Sequence, residues 1–72
     1  LSVYPNPVKN KLFVELANER VTEINVIDYA GRIVKTINGN VNTVNVSDLT
    51  RGIYILKIAT ENGVSTTRFV KQ

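Results

Sequence analysis

The sequence predicts an all-β fold, a seven-stranded antiparallel β-sandwich with immunoglobulin-like, Greek-key connections. The β-branched residues Val, Ile and Thr, which favour strands, make up 25 of the 72 residues, whereas Ala occurs three times. Apolar residues alternate with other residues at a period of two, as at Leu12, Val14 and Leu16, which is the spacing along one face of a strand. No segment carries the i, i+3, i+4, i+7 spacing of an amphipathic helix.

Turn-forming residues divide the chain into seven short predicted strands. These strands span residues 1–4, 11–17, 21–28, 32–38, 41–46, 53–60 and 64–70. Short strands with turn signals at intervals of about 8–12 residues are typical of a two-sheet sandwich. A five-stranded barrel of the oligonucleotide-binding type is the competing architecture, but it normally carries a helix after its third strand, and no segment has a helical pattern.

Three segments have the residues of tight hairpin turns. Asn38-Gly39 and Asn62-Gly63 tolerate the positive φ angles that short hairpin loops use. Residues 28–31 place an Asp and a Gly where a type I turn followed by a left-handed residue needs them. The sequence therefore predicts hairpins at all three places.

Two further segments are predicted to link strands without pairing. Pro5-Asn6-Pro7 fixes φ twice and lacks two backbone donors, so it should form a stiff crossover after the first strand. Residues 47–50 have the composition of a capped turn before Gly52, and Leu49 is expected to point into the core.

The apolar positions of the alternating strands, together with Leu49, are expected to form the core. The predicted core residues are Val3, Leu12, Val14, Leu16, Ile24, Val26, Val34, Val44, Val46, Leu49, Tyr54, Leu56, Ile58 and Phe69. Tyr54 follows Gly52 at the start of an alternating strand, so its ring is expected to be buried with its hydroxyl on a backbone partner.

Cys and His are both absent, which removes several kinds of functional site. The chain has no disulfide framework, no thiolate nucleophile, no serine-type triad and none of the usual zinc ligands. The local carboxylate cluster of Glu15, Glu19 and Glu23 spans a predicted turn, where its members are solvated rather than held in a cleft. We therefore expect that the protein is not an enzyme and uses no cofactor and no metal.

The net charge of +3 arises from nine basic and six acidic residues that are spread along the chain. A nucleic-acid interface would need a dense basic stripe interleaved with aromatic residues, so no nucleic-acid partner is expected. No apolar run approaches the roughly 18–20 residues of a membrane span, so direct membrane insertion is not expected. Because Met is absent, we interpret residues 1–72 as a single domain from a longer protein.

Four landmarks follow one another along the chain. It opens with a short strand and Pro-Asn-Pro in residues 1–8, and residues 28–34 read Asp-x-x-Gly-Arg-x-Val. Residues 49–54 read Leu-x-x-Gly-x-Tyr, and residues 68–72 form a short basic and apolar ending. In this order and spacing, the landmarks resemble the type A C-terminal sorting domain of cargo proteins of the type IX secretion system of Bacteroidetes. The motif residues, which we interpret as mostly structural, are Pro5, Asn6, Pro7, Asp28, Gly31, Arg32, Leu49, Gly52 and Tyr54.

This resemblance implies a non-catalytic signal at the C-terminus of a secreted protein. Such a domain directs the cargo that precedes it in the same chain across the outer membrane, through the type IX translocon. It is normally removed by a sortase-like peptidase. The implied location is the periplasm in transit, and then the cell surface or the extracellular space.

The mixture of basic and apolar residues at the end of the chain predicts where the translocon reads the signal. The candidate recognition residues are Thr67, Arg68, Phe69, Val70, Lys71 and Gln72. An exposed edge strand would also allow a weak homodimer. The alternative function is an accessory immunoglobulin-like or fibronectin-like module for adhesion or carbohydrate binding, which would need an exposed aromatic platform.

Overall fold

A computed structural model describes residues 1–72 and contains seven strands and no helix. The strands are β1 Ser2–Tyr4, β2 Lys11–Glu15, β3 Val21–Ile27, β4 Ile33–Asn38, β5 Thr43–Asn45, β6 Gly52–Thr60 and β7 Gly63–Lys71. All seven predicted strands are present, and no strand end differs from the prediction by more than two residues. The structure contains no helix with the length and apolarity needed to span a membrane.

The strands form two antiparallel sheets, which confirms the predicted sandwich. One sheet has the order β1-β2-β5, and the other has the order β4-β3-β6-β7. In an immunoglobulin constant domain the fourth strand lies in the sheet of the first strand. Here β4 pairs instead with β3, with Thr36 opposite Asn25.

The position of β4 corrects one turn prediction. Asn38-Gly39 joins β4 to β5, which lie in different sheets, so this segment is a crossover and not a hairpin turn. The N–H of Gly39 donates to the carbonyl oxygen of Thr22 at 3.0 Å, which ties the crossover to β3. The two other predicted hairpins are confirmed, since β3 pairs with β4 and β6 pairs with β7.

The core lies between the two sheets and is formed by the inward positions of the strands together with Val8 and Val46, which lie outside them. Its buried residues are Val8, Leu12, Val14, Val21, Ile24, Val26, Val44, Val46, Tyr54, Leu56, Ile58 and Phe69. The predicted core residues Val3, Leu16 and Leu49 are partly buried against this cluster. Val8 and Val21 are core residues that the alternation pattern did not identify.

Val34 is the one predicted core residue that is exposed, at 41% of its surface. The reason is a β-bulge on β4. Val26 pairs with Lys35 while the next residue, Ile27, pairs with Ile33, so Val34 is an extra residue without a partner. The bulge breaks the period of two at this point, and the side chain no longer faces the core.

Lys35 on β4 connects the two sheets through polar contacts with the end of β5 and the turn after it. Its Nζ donates to the carbonyl oxygen of Asn45 at 2.8 Å and to Oδ1 of Asp48 at 2.9 Å. The side chain thus joins the edge of β4 to the turn after β5. These contacts hold the pKa of the Asp48 carboxyl below its usual value, mainly through the hydrogen bond from Lys35.

Candidate recognition site at the C-terminal strand

The last strand has one face in the core and one face in solvent. Thr67, Phe69 and Lys71 point inward, whereas Arg68 and Val70 are exposed on the outer face of the sheet. Such alternation follows from the pleat of a strand. The structure therefore divides the predicted recognition residues into an inner set and an outer set, and exposed Gln72 follows the end of the strand.

Phe69 is a core residue of the folded domain. It is fully buried, and its ring stacks on that of Tyr54 with the centroids 5.5 Å apart. The two residues are direct partners in the pairing of β6 with β7. Because the ring of Phe69 packs in the core, it cannot contact a partner protein while the domain is folded.

Lys71 also points inward, and 8% of its surface is exposed. Its Nζ donates to the carbonyl oxygen of Gln72 at 2.9 Å. Its positive charge contributes to the lowered pKa of the Asp48 carboxyl, after the larger contribution of Lys35. The ammonium group therefore belongs to a small polar cluster at this end of the sandwich.

The Pro5-Asn6-Pro7 segment leads from β1 to β2, which pair in the same sheet, so the predicted crossover is not formed. The segment and Val8 instead bind the end of β7 in the other sheet. Val8 forms a parallel bridge to Lys71, and its N–H donates to the carbonyl oxygen of Val70 at 2.9 Å. The N–H of Gln72 donates to the carbonyl oxygen of Val8 at 2.8 Å. The side-chain oxygen of Asn6 accepts the N–H of Val70 at 2.9 Å. Backbone groups at this end of β7 are therefore already paired.

The same geometry leaves the rest of that edge open. In an antiparallel strand, the N–H and C=O of alternate residues point to the same side. Because both groups of Val70 point away from β6, those of Val64, Thr66 and Arg68 do so as well. No hydrogen bond joins these outward groups to another part of the chain.

The Asp-x-x-Gly-Arg motif builds the turn between β3 and β4. Oδ1 of Asp28 accepts the N–H groups of Ala30 and Arg32 at 3.0 and 2.9 Å, and Oδ2 accepts Nε of Arg32 at 3.0 Å. Gly31 has a φ of 91°, which a residue with a side chain rarely adopts. The backbone hydrogen bond from Arg32 is the main cause of the lowered pKa of Asp28.

The Leu-x-x-Gly-x-Tyr motif anchors the start of β6. The hydroxyl of Tyr54 donates to the carbonyl oxygen of Thr50 at 2.7 Å, as predicted for a buried tyrosine. Leu49 packs against the core from the turn that precedes Gly52. The side chains of these two motifs therefore stabilise turns and the core. They do not form part of the exposed face of β7.

A shallow apolar groove lies on the outer face of the four-stranded sheet. Its volume is about 460 Å³, and it is lined by Ile27, Asp28, Tyr29, Gly31, Ile53, Ile55 and Arg68. Tyr29, one of these lining residues, is 86% exposed. Sequence reasoning did not identify this surface, because its residues come from three strands and a turn that only the sheet order brings together.

The opposite sheet exposes an aromatic pair that sequence reasoning also missed. Tyr4 and Phe13 are cross-strand partners on β1 and β2, and their rings stack with the centroids 5.7 Å apart. They are 49% and 39% exposed. Strand pairing, and not proximity in the sequence, brings the two rings together.

Residues 2–72 match a family described as the secretion system C-terminal sorting domain. The chain belongs to this family. No curated protein matches the chain significantly. The family match covers all four landmarks and confirms the resemblance to the type IX sorting domain. A domain of this kind is a type IX secretion signal, which implies interaction with the secretion machinery and export toward the cell surface or the extracellular space.

Proposed function

We propose that this domain is a non-catalytic C-terminal signal that directs the preceding cargo of the same chain through the type IX translocon. The observation that carries the proposal is the family match over residues 2–72. The cargo crosses the periplasm, passes the outer membrane and reaches the surface or the medium. A sortase-like peptidase then removes the domain.

A sandwich without cysteine suits a signal that folds on its own during transit. Its core of 12 buried residues forms without disulfides, and its turns are held by local hydrogen bonds such as those of Asp28. The translocon would therefore bind the domain in its folded state. We infer that it reads the outer set of the last residues, Arg68, Val70 and Gln72.

The decisive experiment is a fusion. A fluorescent reporter with a periplasmic signal peptide is joined to residues 1–72 and expressed in a type IX-competent Bacteroidetes host and in a translocon-null sibling. We expect the reporter on the surface or in the medium of the competent host alone, shortened by about the 8.0 kDa of this domain. A reporter that stays periplasmic in both hosts, with the domain folded, would contradict the proposal.

One observation favours a second candidate function, that of a carbohydrate-binding module. The stacked pair of Tyr4 and Phe13 supplies an exposed aromatic platform, which sugar rings favour. Lys11 and Glu15 are exposed on the same strand and flank Phe13 on the outer face. Glycan-array binding that is lost on replacing both rings, Tyr4→Ser with Phe13→Ser, would support this function, while no binding to any glycan would exclude it.

A further inference from the structure

The four strands at the sheet margins differ in how they present their edges. β1 and β5 have three residues each, and β4 has six residues and a bulge. Short strands and bulges both discourage pairing with another chain. β7 has nine residues, and its edge is covered only where Asn6 and Val8 bind its end.

The open part of this edge runs over residues 64–68. The outward N–H and C=O groups of Val64, Thr66 and Arg68 have no partner in the chain. No proline, bulge or inward-pointing charge protects the edge along these residues. A strand that added here would continue the sheet order β4-β3-β6-β7 by one position.

The two charged residues beside the open edge, Arg68 and Lys57, are both positive, and neither forms an ion pair. The three ion pairs of the protein join Arg20 to Glu61, Arg32 to Asp28 and Lys35 to Asp48. Arg68 and Lys57 take part in none of them. Lys57 lies opposite Thr66 in the pairing of β6 with β7, so both cations flank the open edge on its outer face.

We propose that the open edge of β7, at residues 64–68, pairs with an extended strand of a partner protein that carries an acidic side chain facing Arg68. This inference rests on the proposed function, and the partner is a component of the export machinery. Backbone hydrogen bonds supply the affinity in such strand addition, and side chains at alternate positions supply the specificity. The apolar neighbours of Arg68 on the outer face, Val70 and Ile55, favour an apolar residue next to the acid.

A second copy of this domain is a poorer occupant of the edge. A two-fold antiparallel pair centred on Thr66 would set Arg68 of one copy opposite Val64 of the other. No carboxylate would then face Arg68, and Lys57 of each copy would lie near the seam. The net charge of +3 on each copy adds repulsion.

The test removes a backbone donor from each open edge of the four-stranded sheet, one at a time. Thr66→Pro deletes an N–H that points away from β6, so the pairing of β6 with β7 is kept. Thr36→Pro is the control at the opposite edge, because Thr36 is exposed on β4 and its N–H points away from β3. The hydroxyl of Thr36 accepts a hydrogen bond from Nδ2 of Asn25 at 3.0 Å, so Thr36→Ala accounts for the loss of that contact. Thr66→Ala controls for the loss of the side chain.

Secretion of the reporter fusion is compared among these variants in the competent host. We expect Thr66→Pro to lower secretion about tenfold or more, because the proline ring replaces a donor and lies where the added strand would run. Thr66→Ala and Thr36→Pro should be secreted at nearly the wild-type level. Equal secretion of all variants would overturn the inference and leave the proposed function intact, whereas a wild-type fusion that is not secreted would overturn the proposed function.

A charge reversal tests the edge without changing the backbone. Arg68→Glu places a carboxylate opposite the expected acid, and Lys11→Glu makes the same change in net charge on the outer face of the other sheet. We expect Arg68→Glu alone to lower secretion, with both variants keeping the thermal midpoint of the wild type. Equal secretion of the two variants would contradict the acidic partner. A dimer of the purified fusion that Thr66→Pro abolishes, together with normal secretion of that variant, would assign the edge to a second copy.

Discussion

The side-chain oxygen Oδ1 of Asn6 accepts a hydrogen bond of 2.9 Å from the N–H of Val70, which lies 64 positions later in the chain. The contact joins the segment between β1 and β2 to the last strand. Together with the two backbone bonds of Val8 to Val70 and Gln72, it covers the end of an otherwise open edge. The Pro-Asn-Pro landmark therefore has a structural role at the same strand that the recognition proposal invokes.

Replacing Asn6 tests this contact. We expect Asn6→Ala to lower the free energy of unfolding by about 1 kcal/mol, because the N–H of Val70 loses its acceptor at a partly solvated position. Asn6→Asp keeps an oxygen at the same place and should lose much less. Urea unfolding of the three proteins measures the difference, and equal midpoints for Asn6→Ala and the wild type would contradict the role given to Asn6.

Acid should weaken the fold through two aspartates. The pKa values of Asp28 and Asp48 lie below the ordinary value of 3.8, mainly because of the hydrogen bonds from Arg32 and Lys35. A carboxyl whose pKa is depressed by folding contributes stability that is present above the ordinary value and is lost as the pH falls through the depressed one. We therefore expect the thermal midpoint to fall as the pH drops below about 4.

The pH dependence has a clear control. Asp28→Asn combined with Asp48→Asn should flatten the fall of the thermal midpoint between about pH 4 and pH 2. Glu15→Gln removes an exposed carboxylate that makes no hydrogen bond and no ion pair, so it should leave the profile unchanged. A double variant as acid-sensitive as the wild type would contradict the assignment.

The turn at residues 28–31 permits a test of backbone strain alone. Gly31 has a φ of 91°, and a Cβ added there would meet no atom within 4 Å. Gly31→Ala should therefore cost about 1–2 kcal/mol through the left-handed backbone and not through a clash. Gly31→Asn should cost less, since Asn adopts this region more readily. Chemical unfolding measures both changes, and an Ala variant as stable as the wild type would contradict the strain.

The sequence was sufficient for the features that local periodicity and turn chemistry control. Strands such as β6 and the turn at Asp28 follow from patterns within a few residues. Val34 was misplaced because a bulge depends on the pairing of β3 with β4, which no local pattern reveals. Asn38-Gly39 was misread for a related reason, since a turn dipeptide does not state in which sheet the next strand lies.

The candidate recognition site could be predicted only in part, because its details also depend on strand pairing. The end of the chain was identified from its basic and apolar residues, but its division into inner and outer sets required the register of β7 on β6. The covered end of the edge depends on Asn6 and Val8, which are distant in sequence. The aromatic pair of Tyr4 and Phe13 became visible for the same reason, through the register of β1 on β2.

Substitutions on the inner face of β7 should affect stability, whereas substitutions on its outer face should affect recognition. Phe69→Ala removes a fully buried ring and should cost about 3–5 kcal/mol, a large part of the roughly 5–15 kcal/mol that stabilises a whole domain. Truncating the chain before Arg68 would remove this ring as well, so a truncation cannot distinguish a lost contact from a lost fold. Val70→Thr keeps a β-branched side chain at an exposed position and should change stability by no more than about 0.5 kcal/mol.

Among variants that still fold, secretion should depend on the exposed residue Val70 and not on the buried residue Phe69. Phe69→Leu retains an apolar core residue and a folded domain, so we expect it to be secreted at nearly the wild-type level. Val70→Thr removes an apolar contact from the outer face and should lower secretion about tenfold, with an unchanged thermal midpoint. Secretion in the competent host and thermal unfolding of the same purified fusions are measured side by side. Wild-type secretion of Val70→Thr together with a loss for folded Phe69→Leu would reverse the assignment, because the inner face of β7 would then carry the signal.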